Sequence, residues 1–459
     1  MGSVKQFTPR PYQRLIIDHI GKHRYCACWC GMGTGKTVST LTALEALIHF
    51  FGEGPALVIA PLRVAVSTWP DEVRKWAHLS HLAVSVLCGS RAKREHALMQ
   101  KADVYTINYE SLPWLVEATK GKWPFPIVVA DESTRLKSCR RVGGGKYAGA
   151  LRSVRKHIKR LVELSGTPAA NGLLDLWGQF YLLDGGRRLE KSMSAYQARH
   201  FRPIRTGDEP WMVRWVPAPG SDERIREAVS DIALTINPED YFDIENPIEC
   251  EVPVELPAPA LRMHREMEQT LYTVLREGIS AEAVNAQVRL GKCLQIASGA
   301  VYGEDGQVTV VHKAKLDALK SVVAEAAGAP VLVAYQFKHE AARILEAIPQ
   351  AELLDKNPDT IRRWNRGEIP VLLAHPAACG HGLNLQDGGN ILCFFSLGWN
   401  YEQHAQMCER IGPTRQAQSG HPRPVFIYYL VAKDTLDEAV LPALRRKENV
   451  LNTLLGRSS

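Results

Sequence analysis

An apolar run from Tyr25 to Cys30 leads straight into Gly31-Met32-Gly33-Thr34-Gly35-Lys36-Thr37, and a stretch with helical patterning, Val38 to Phe50, follows. Strand, glycine-rich turn and helix in that order make a loop whose backbone N–H groups and helix N-terminus face phosphate oxygens. Such a loop needs a buried parallel strand behind it, so this one junction commits the N-terminal part of the chain to an α/β layered fold. Lys36 is the residue placed to bridge the β- and γ-phosphates of a nucleotide, and the Thr37 hydroxyl is a candidate magnesium ligand. The backbone of Met32, Gly33, Thr34 and Gly35 would line the cradle. The strict form of the pattern asks for glycine where this chain has Cys30.

The strand signal repeats at helix-sized intervals. Ala56 to Ala60, Asp103 to Ile107, Ile127 to Ala130 and Leu161 to Leu164 are short apolar runs, the pattern of strands buried on both faces of a parallel sheet. The third ends in Asp131-Glu132, two carboxylates at the C-terminal end of a strand, where ligand sites of parallel sheets collect. Asp131 suits a magnesium ligand and Glu132 a group that polarises an attacking water. A second series runs through Val331 to Tyr335, Val371 to Ala374, Ile391 to Phe395 and Val425 to Val431. The expected fold class is therefore α/β, with two parallel-sheet lobes in tandem at residues 1–184 and 312–459. Residues 185–311 show little strand patterning and read as a mostly helical accessory region, and Thr435 to Leu455 as helical structure closing the second lobe.

Lys and Arg exceed Asp and Glu by 56 to 49, a surplus compatible with a polyanionic partner but too mild to demand one. Ten cysteines in a chain this long, without the charged-then-apolar order of a signal peptide in Met1 to Arg10, read as reduced thiols. The expected location is the cytoplasm of a bacterial or phage-infected cell, with no membrane contact. Cys26, Cys28 and Cys30 resemble a metal set in spacing alone; on a strand they share one face, where cysteine serves as a small core hydrophobe.

These pieces, in this order and over nearly the whole chain, resemble the superfamily-two helicases, and within them the SWI/SNF-type DNA translocases. Arg10-Pro11-Tyr12-Gln13 is similar to the family's adenine-recognising segment, which makes Gln13 the candidate for reading the base. The family also tolerates a non-glycine where Cys30 stands. Ala60-Pro61-Leu62 with Trp69 and Trp76, and Thr106 to Glu110, resemble two motifs that would face nucleic acid. Asp131-Glu132-Ser133-Thr134, with Lys137, occupies the place of the family's Asp-Glu-x-His, so Thr134 stands where an imidazole is usual. Ser165, Gly166, Thr167 and Pro168, with Asn171, match the motif that links the nucleotide site to DNA contact.

Further along, Gly380 to Leu385 resembles the family's Gly-x-Gly-x-Asn-Leu, which implies that Gly382 and Asn384 touch backbone phosphates, with His381 at a variable loop position. A gapless frame puts Gln-x-x-x-Arg-x-x-Arg-x-x-Gln on Gln406, Arg410, Pro413 and Gln416. Arg410 is then an arginine finger. Pro413 stands in place of the second arginine, so either Arg415 reaches the phosphate through a bulged loop or one finger suffices. Thr435-Leu436-Asp437-Glu438 resembles the closing motif, and the whole set is most similar to compact phage-encoded versions.

The resemblance implies two RecA-like lobes, ATP with Mg2+ hydrolysed in the cleft between them, and movement along double-stranded DNA held through its phosphates. Two alternatives stay open: a strand-separating helicase on DNA or RNA, and a nucleotide-gated clamp without turnover. A small-molecule kinase would leave the second set of motifs unexplained.

Overall fold

The computed structural model describes residues 4–31, 33–139, 144–205, 213–237, 240–241, 245–277, 282–303, 305–355, 357–379, 383–421 and 423–455. They form two compact units, one of Met1–Arg202, Trp215–Phe242 and Asn449–Ser459, the other of Pro203–Arg214 and Asp243–Glu448.

The first unit is built on strands β1 (Tyr25–Cys30), β2 (Ala56–Ala60), β3 (Val84–Val86), β4 (Val104–Asn108), β5 (Ile127–Asp131) and β6 (Arg160–Ser165). Next in the chain, β7 (Phe201–Arg205) and β8 (Val213–Pro217) make a separate two-stranded sheet, and β9 (Ala233–Ile236) then returns to the main one. Its order is β3-β4-β2-β5-β6-β1-β9, with every pairing parallel. Strands β2, β4, β5 and β6 are buried along their whole length, which is why they read as unbroken apolar runs rather than alternating ones. On one face Cys26, Cys28, Cys30, Val58, Val129, Val162 and Leu164 pack with Ile16, Leu41 and Leu44 from the helices Pro11–Lys22 and Lys36–Glu45. Burying each such aliphatic side chain is worth roughly 1.5–3 kcal/mol. Because β6 lies between β1 and β5, three chain-distant segments, those leaving Cys30, Asp131 and Ser165, emerge side by side at one edge.

The second unit carries β10 (Ile248–Val254), β13 (Val331–Ala334), β14 (Ala351–Leu353), β15 (Val371–Ala374), β16 (Ile391–Phe394) and β17 (Phe426–Ala432), in the order β10-β17-β16-β13-β15-β14, again all parallel. An antiparallel pair, β11 (Ala300–Tyr302) with β12 (Val308–Val310), stands apart. Lys315, at the start of the Ala314–Glu325 helix, is 1% exposed and donates to Asp437 Oδ2 at 2.6 Å and to the Phe395 carbonyl at 3.1 Å. The same Asp437 oxygen accepts the Ala432 N–H at 2.9 Å. The closing motif Thr435 to Glu438 thus ties the end of β17 to that helix through a buried ion pair.

Residues 185–311 do carry two long helices, Ala258–Glu277 and Glu282–Ser298, but they are not an independent helical region. Strands β7 to β12 lie there, and β9 and β10 complete the two main sheets as edge strands. An edge strand is paired on one side only, so it needs no continuous apolar run. In β10 the exposed Glu249 and Glu251 alternate with half-buried residues, and that hides the strand in the sequence. Residues 449–455, expected in the second lobe, cluster with the first unit.

Candidate nucleotide site and associated motifs

Gly33 and Gly35 both have φ of 78°, the left-handed conformation that lets the loop wrap before the Lys36–Glu45 helix begins. The first turn of that helix points free N–H groups and the positive end of its dipole into the loop. Lys36 Nζ donates to the carbonyls of Cys30 at 2.7 Å and Gly31 at 3.1 Å, and Thr34 Oγ1 to Gly31 at 2.8 Å. The ammonium is thereby held at the mouth of the loop by acceptors that phosphate oxygens can replace. Thr37 is half-buried at the helix start.

Gln13 is drawn onto the same loop. Its Nε2 donates to the Thr34 carbonyl at 3.3 Å while its Oε1 accepts the Arg10 N–H at 2.9 Å, satisfying a backbone donor just ahead of the Pro11–Lys22 helix. A Cβ on Gly35 would sit 2.4 Å from that Nε2. Gly35→Ala should therefore dislodge Gln13 and strain the backbone by about 1–3 kcal/mol. Titration with a fluorescent ATP analogue should show weakened binding; unchanged affinity would mean the Gln13 contact is dispensable.

Asp131 ends β5 and Glu132 follows it, with the carboxyl of Asp131 receiving the Trp69 indole N–H at 3.0 Å. Tyr109, fully buried, directs its hydroxyl at the carbonyls of Asp131 (2.8 Å) and Glu132 (3.3 Å). Burial, and after it the Asp131 charge, push the Tyr109 phenol well above its usual range, so it remains a donor. Trp69 is 1% exposed. Neither aromatic is a nucleic-acid-facing residue, contrary to the sequence expectation: both support the carboxylate pair from behind. Glu132 itself has φ of 58°, a left-handed conformation in a residue with a Cβ. Such strain survives only where the surroundings over-determine it.

The stretch Ser165 to Pro168 leaves β6 next to this pair, with the Thr167 N–H donating to Ser165 Oγ at 3.1 Å. Two side chains of the following helix, Leu174–Asp184, connect the segments, and neither was singled out in the sequence. Gln179 takes a hydrogen bond from Ser133, and Asp175 receives Lys137 Nζ at 3.3 Å and the Asn171 side-chain amide at 3.1 Å. A glutamine inside an otherwise apolar helical run, between Trp177 and Phe180, was the available signal.

In the second unit Arg410 is 1% exposed and donates to the Leu383 carbonyl at 3.2 Å. Pro413 opens a short helix, Pro413–Gln418, and turns Arg415 back onto that same carbonyl at 3.3 Å and onto Asn384 Oδ1 at 3.1 Å. Both arginines thus converge on the loop that carries Asn384, despite the proline in the frame. Gln406 is buried and donates to Glu402 at 3.2 Å. Met32 and Gly382, with Gly380 and His381, lie outside the described residues.

Thr37 and Asp131 offer a hydroxyl and a carboxylate, hard oxygen donors of the kind Mg2+ takes while keeping several waters. The other metal-like group, His19 with Cys26 and Cys28, has ligand atoms within 4.8 Å of one another, but it is a soft set and its thiols belong to the apolar core. Among the described residues no helix is long and apolar enough to cross a membrane.

Residues 30–237 match the SNF2-related domain. Over 98% of its length the chain is 50% identical to protein p41 of Acyrthosiphon pisum secondary endosymbiont phage 1, covering 99% of that protein. It is 24% identical to Chromodomain-helicase-DNA-binding protein 7 of Homo sapiens over 94% of this chain, yet spans only 16% of that protein's length. The crystal structure of the Pyrococcus furiosus Hef helicase domain superposes over 95% of this chain and 98% of that one, with a TM-score of 0.53 at 16% identity, a likeness of fold.

Proposed function

The chain belongs to the SWI/SNF-type branch of the superfamily-two helicases, a family of nucleic-acid-stimulated ATPases, and from that premise we propose that it is a motor that moves along double-stranded DNA. The observation that carries this reading is the adjacency, at the ends of β1, β6 and β5, of a phosphate loop, a Ser-Gly-Thr-Pro turn and an Asp-Glu pair. In this reading Gln13 reads the adenine, Lys36 leaves the Cys30 and Gly31 carbonyls for the β- and γ-phosphates, and Glu132 orients the attacking water. Thr37 and Asp131 would hold Mg2+, which would supply positive charge against the charge developing on the transferred phosphoryl group. Arg410, with Arg415 beside it on the Leu383 carbonyl, supplies the finger.

Duplex DNA is the favoured track because the chain's likeness is to SWI/SNF-type proteins, the human relative is by name a DNA-binding helicase, and the chain carries a formal net charge of +7. Grip through phosphates makes binding sequence-tolerant and salt-sensitive. The setting is the cytoplasm of a bacterial or phage-infected cell, in keeping with the phage relative. The test is ATP hydrolysis with Mg2+, alone and with duplex DNA, single-stranded DNA or RNA. Strong stimulation by duplex is expected; stimulation by single strands alone overturns the duplex track, and no turnover overturns the motor.

A further inference from the structure

Thr134 occupies the position where related ATPases usually carry a histidine, and its hydroxyl is buried without a hydrogen-bond partner. A contact that an imidazole could make from that position is not made by this side chain. The neighbouring residue makes one instead. Ser133 Oγ donates to Gln179 Oε1 at 2.7 Å, and Gln179 Nε2 donates to the carbonyls of Pro168 at 2.8 Å and Asp175 at 2.9 Å. The two backbone carbonyls can only accept, so they fix which end of the amide carries its N–H groups, and Ser133 must then be the donor to the other end. Gln179 is 1% exposed, and both donors and the acceptor of its amide are used.

Ser133 directly follows Asp131-Glu132, and Pro168 ends the Ser165 to Pro168 turn. One buried amide therefore spans two motifs that leave adjacent strands. One turn earlier on the same helix, Asp175 makes a parallel, more exposed tie, from Lys137 to Asn171. The helix is pressed onto the carboxylate segment: a Cβ on Gly178 would lie 2.2 Å from the Lys137 carbonyl oxygen. A shift of the Pro168 turn must then pull on Ser133, and through it on Glu132, whose left-handed backbone depends on its surroundings.

We infer that Gln179 is a positioning residue that couples nucleic-acid contact at the Ser165 to Pro168 turn to the alignment of Glu132. The inference rests on the motor reading above. Its signature is in the response to nucleic acid rather than in basal chemistry. Gln179→Leu, of similar volume, should keep unstimulated ATP turnover and KM for ATP close to wild type. The duplex-stimulated increase in kcat should fall roughly tenfold, within the 5- to 150-fold span of ordinary site-to-site coupling. Ser133→Ala should reproduce the loss, and the double variant should be no worse than either single one, since all three break the same tie. Thermal unfolding of each full-length variant separates this from a folding defect; if Gln179→Leu unfolds, Ser133→Ala carries the test alone, because it removes only a hydroxyl. Full stimulation in the variants, or additive losses, overturns the inference. Absence of stimulation in the wild type overturns the motor reading instead.

Discussion

Glu132→Gln should leave ATP binding intact and lower turnover by about 10^2- to 10^4-fold, the span for removing a positioned acid–base group. The substitution keeps the length and shape of the side chain and the same left-handed backbone cost, and the Tyr109 hydroxyl still reaches the backbone carbonyl at this position. It loses only the carboxylate to which the proposed mechanism gives the orienting and polarising of water. Phosphate release in the steady state reads the turnover, and equilibrium titration with a slowly hydrolysed ATP analogue reads binding. A variant that retains more than a small fraction of wild-type kcat assigns the water-orienting role to another group. A variant that loses binding as well points to collapse of the strained turn rather than of the chemistry.

The second large effect is on stability. Asp437→Ala should destabilise the protein by about 3–5 kcal/mol, because it strands Lys315 as a buried, uncompensated ammonium. Lys315 is 1% exposed and, among the described residues, would keep the Phe395 carbonyl as its hydrogen-bond acceptor. The physics of the pair predicts a rescue: removing both charges, with Lys315→Met in the Asp437→Ala background, should recover most of the loss, since an apolar replacement of a buried pair is often neutral. Urea unfolding of the full-length variants gives both numbers. A loss below about 1 kcal/mol in the single variant would place the pair among exposed ones in energetic terms.

Those two residues also show where sequence reading succeeds and where it stops. The phosphate loop and the Asp-Glu pair were legible because their chemistry is local: a few consecutive residues at a strand end specify both type and place. The inner strands were legible because burial on both faces writes itself as an unbroken apolar run, as in Ile127 to Ala130. Strands β9 and β10 were not, since an edge needs no such run. Asp437 was recognised as part of a motif, but its partner stands 122 residues away and no spacing rule reaches it. Trp69 was expected at a nucleic-acid surface, and its true neighbour, Asp131, lies 62 residues on. Pro413 made the frame around Arg415 ambiguous; the helix it initiates turns Arg415 back beside Arg410, a consequence of backbone geometry rather than of residue counting.

The cysteines behind the phosphate loop give the first unit a built-in clock. Cys26, Cys28 and Cys30 are all fully buried; burial pushes the Cys30 thiol up to about 12, and a hydrogen bond with Cys26, with burial after it, pushes that of Cys28 well upward. In the closed sheet a thiol-directed reagent has no access to the three, and at Cys28 and Cys30 it meets no thiolate either. Any labelling of these positions therefore counts openings of β1 against its neighbours, and its rate measures how often the strand that feeds the phosphate loop comes loose. Nucleotide bound at the loop would slow that clock in proportion to how tightly it holds the strand.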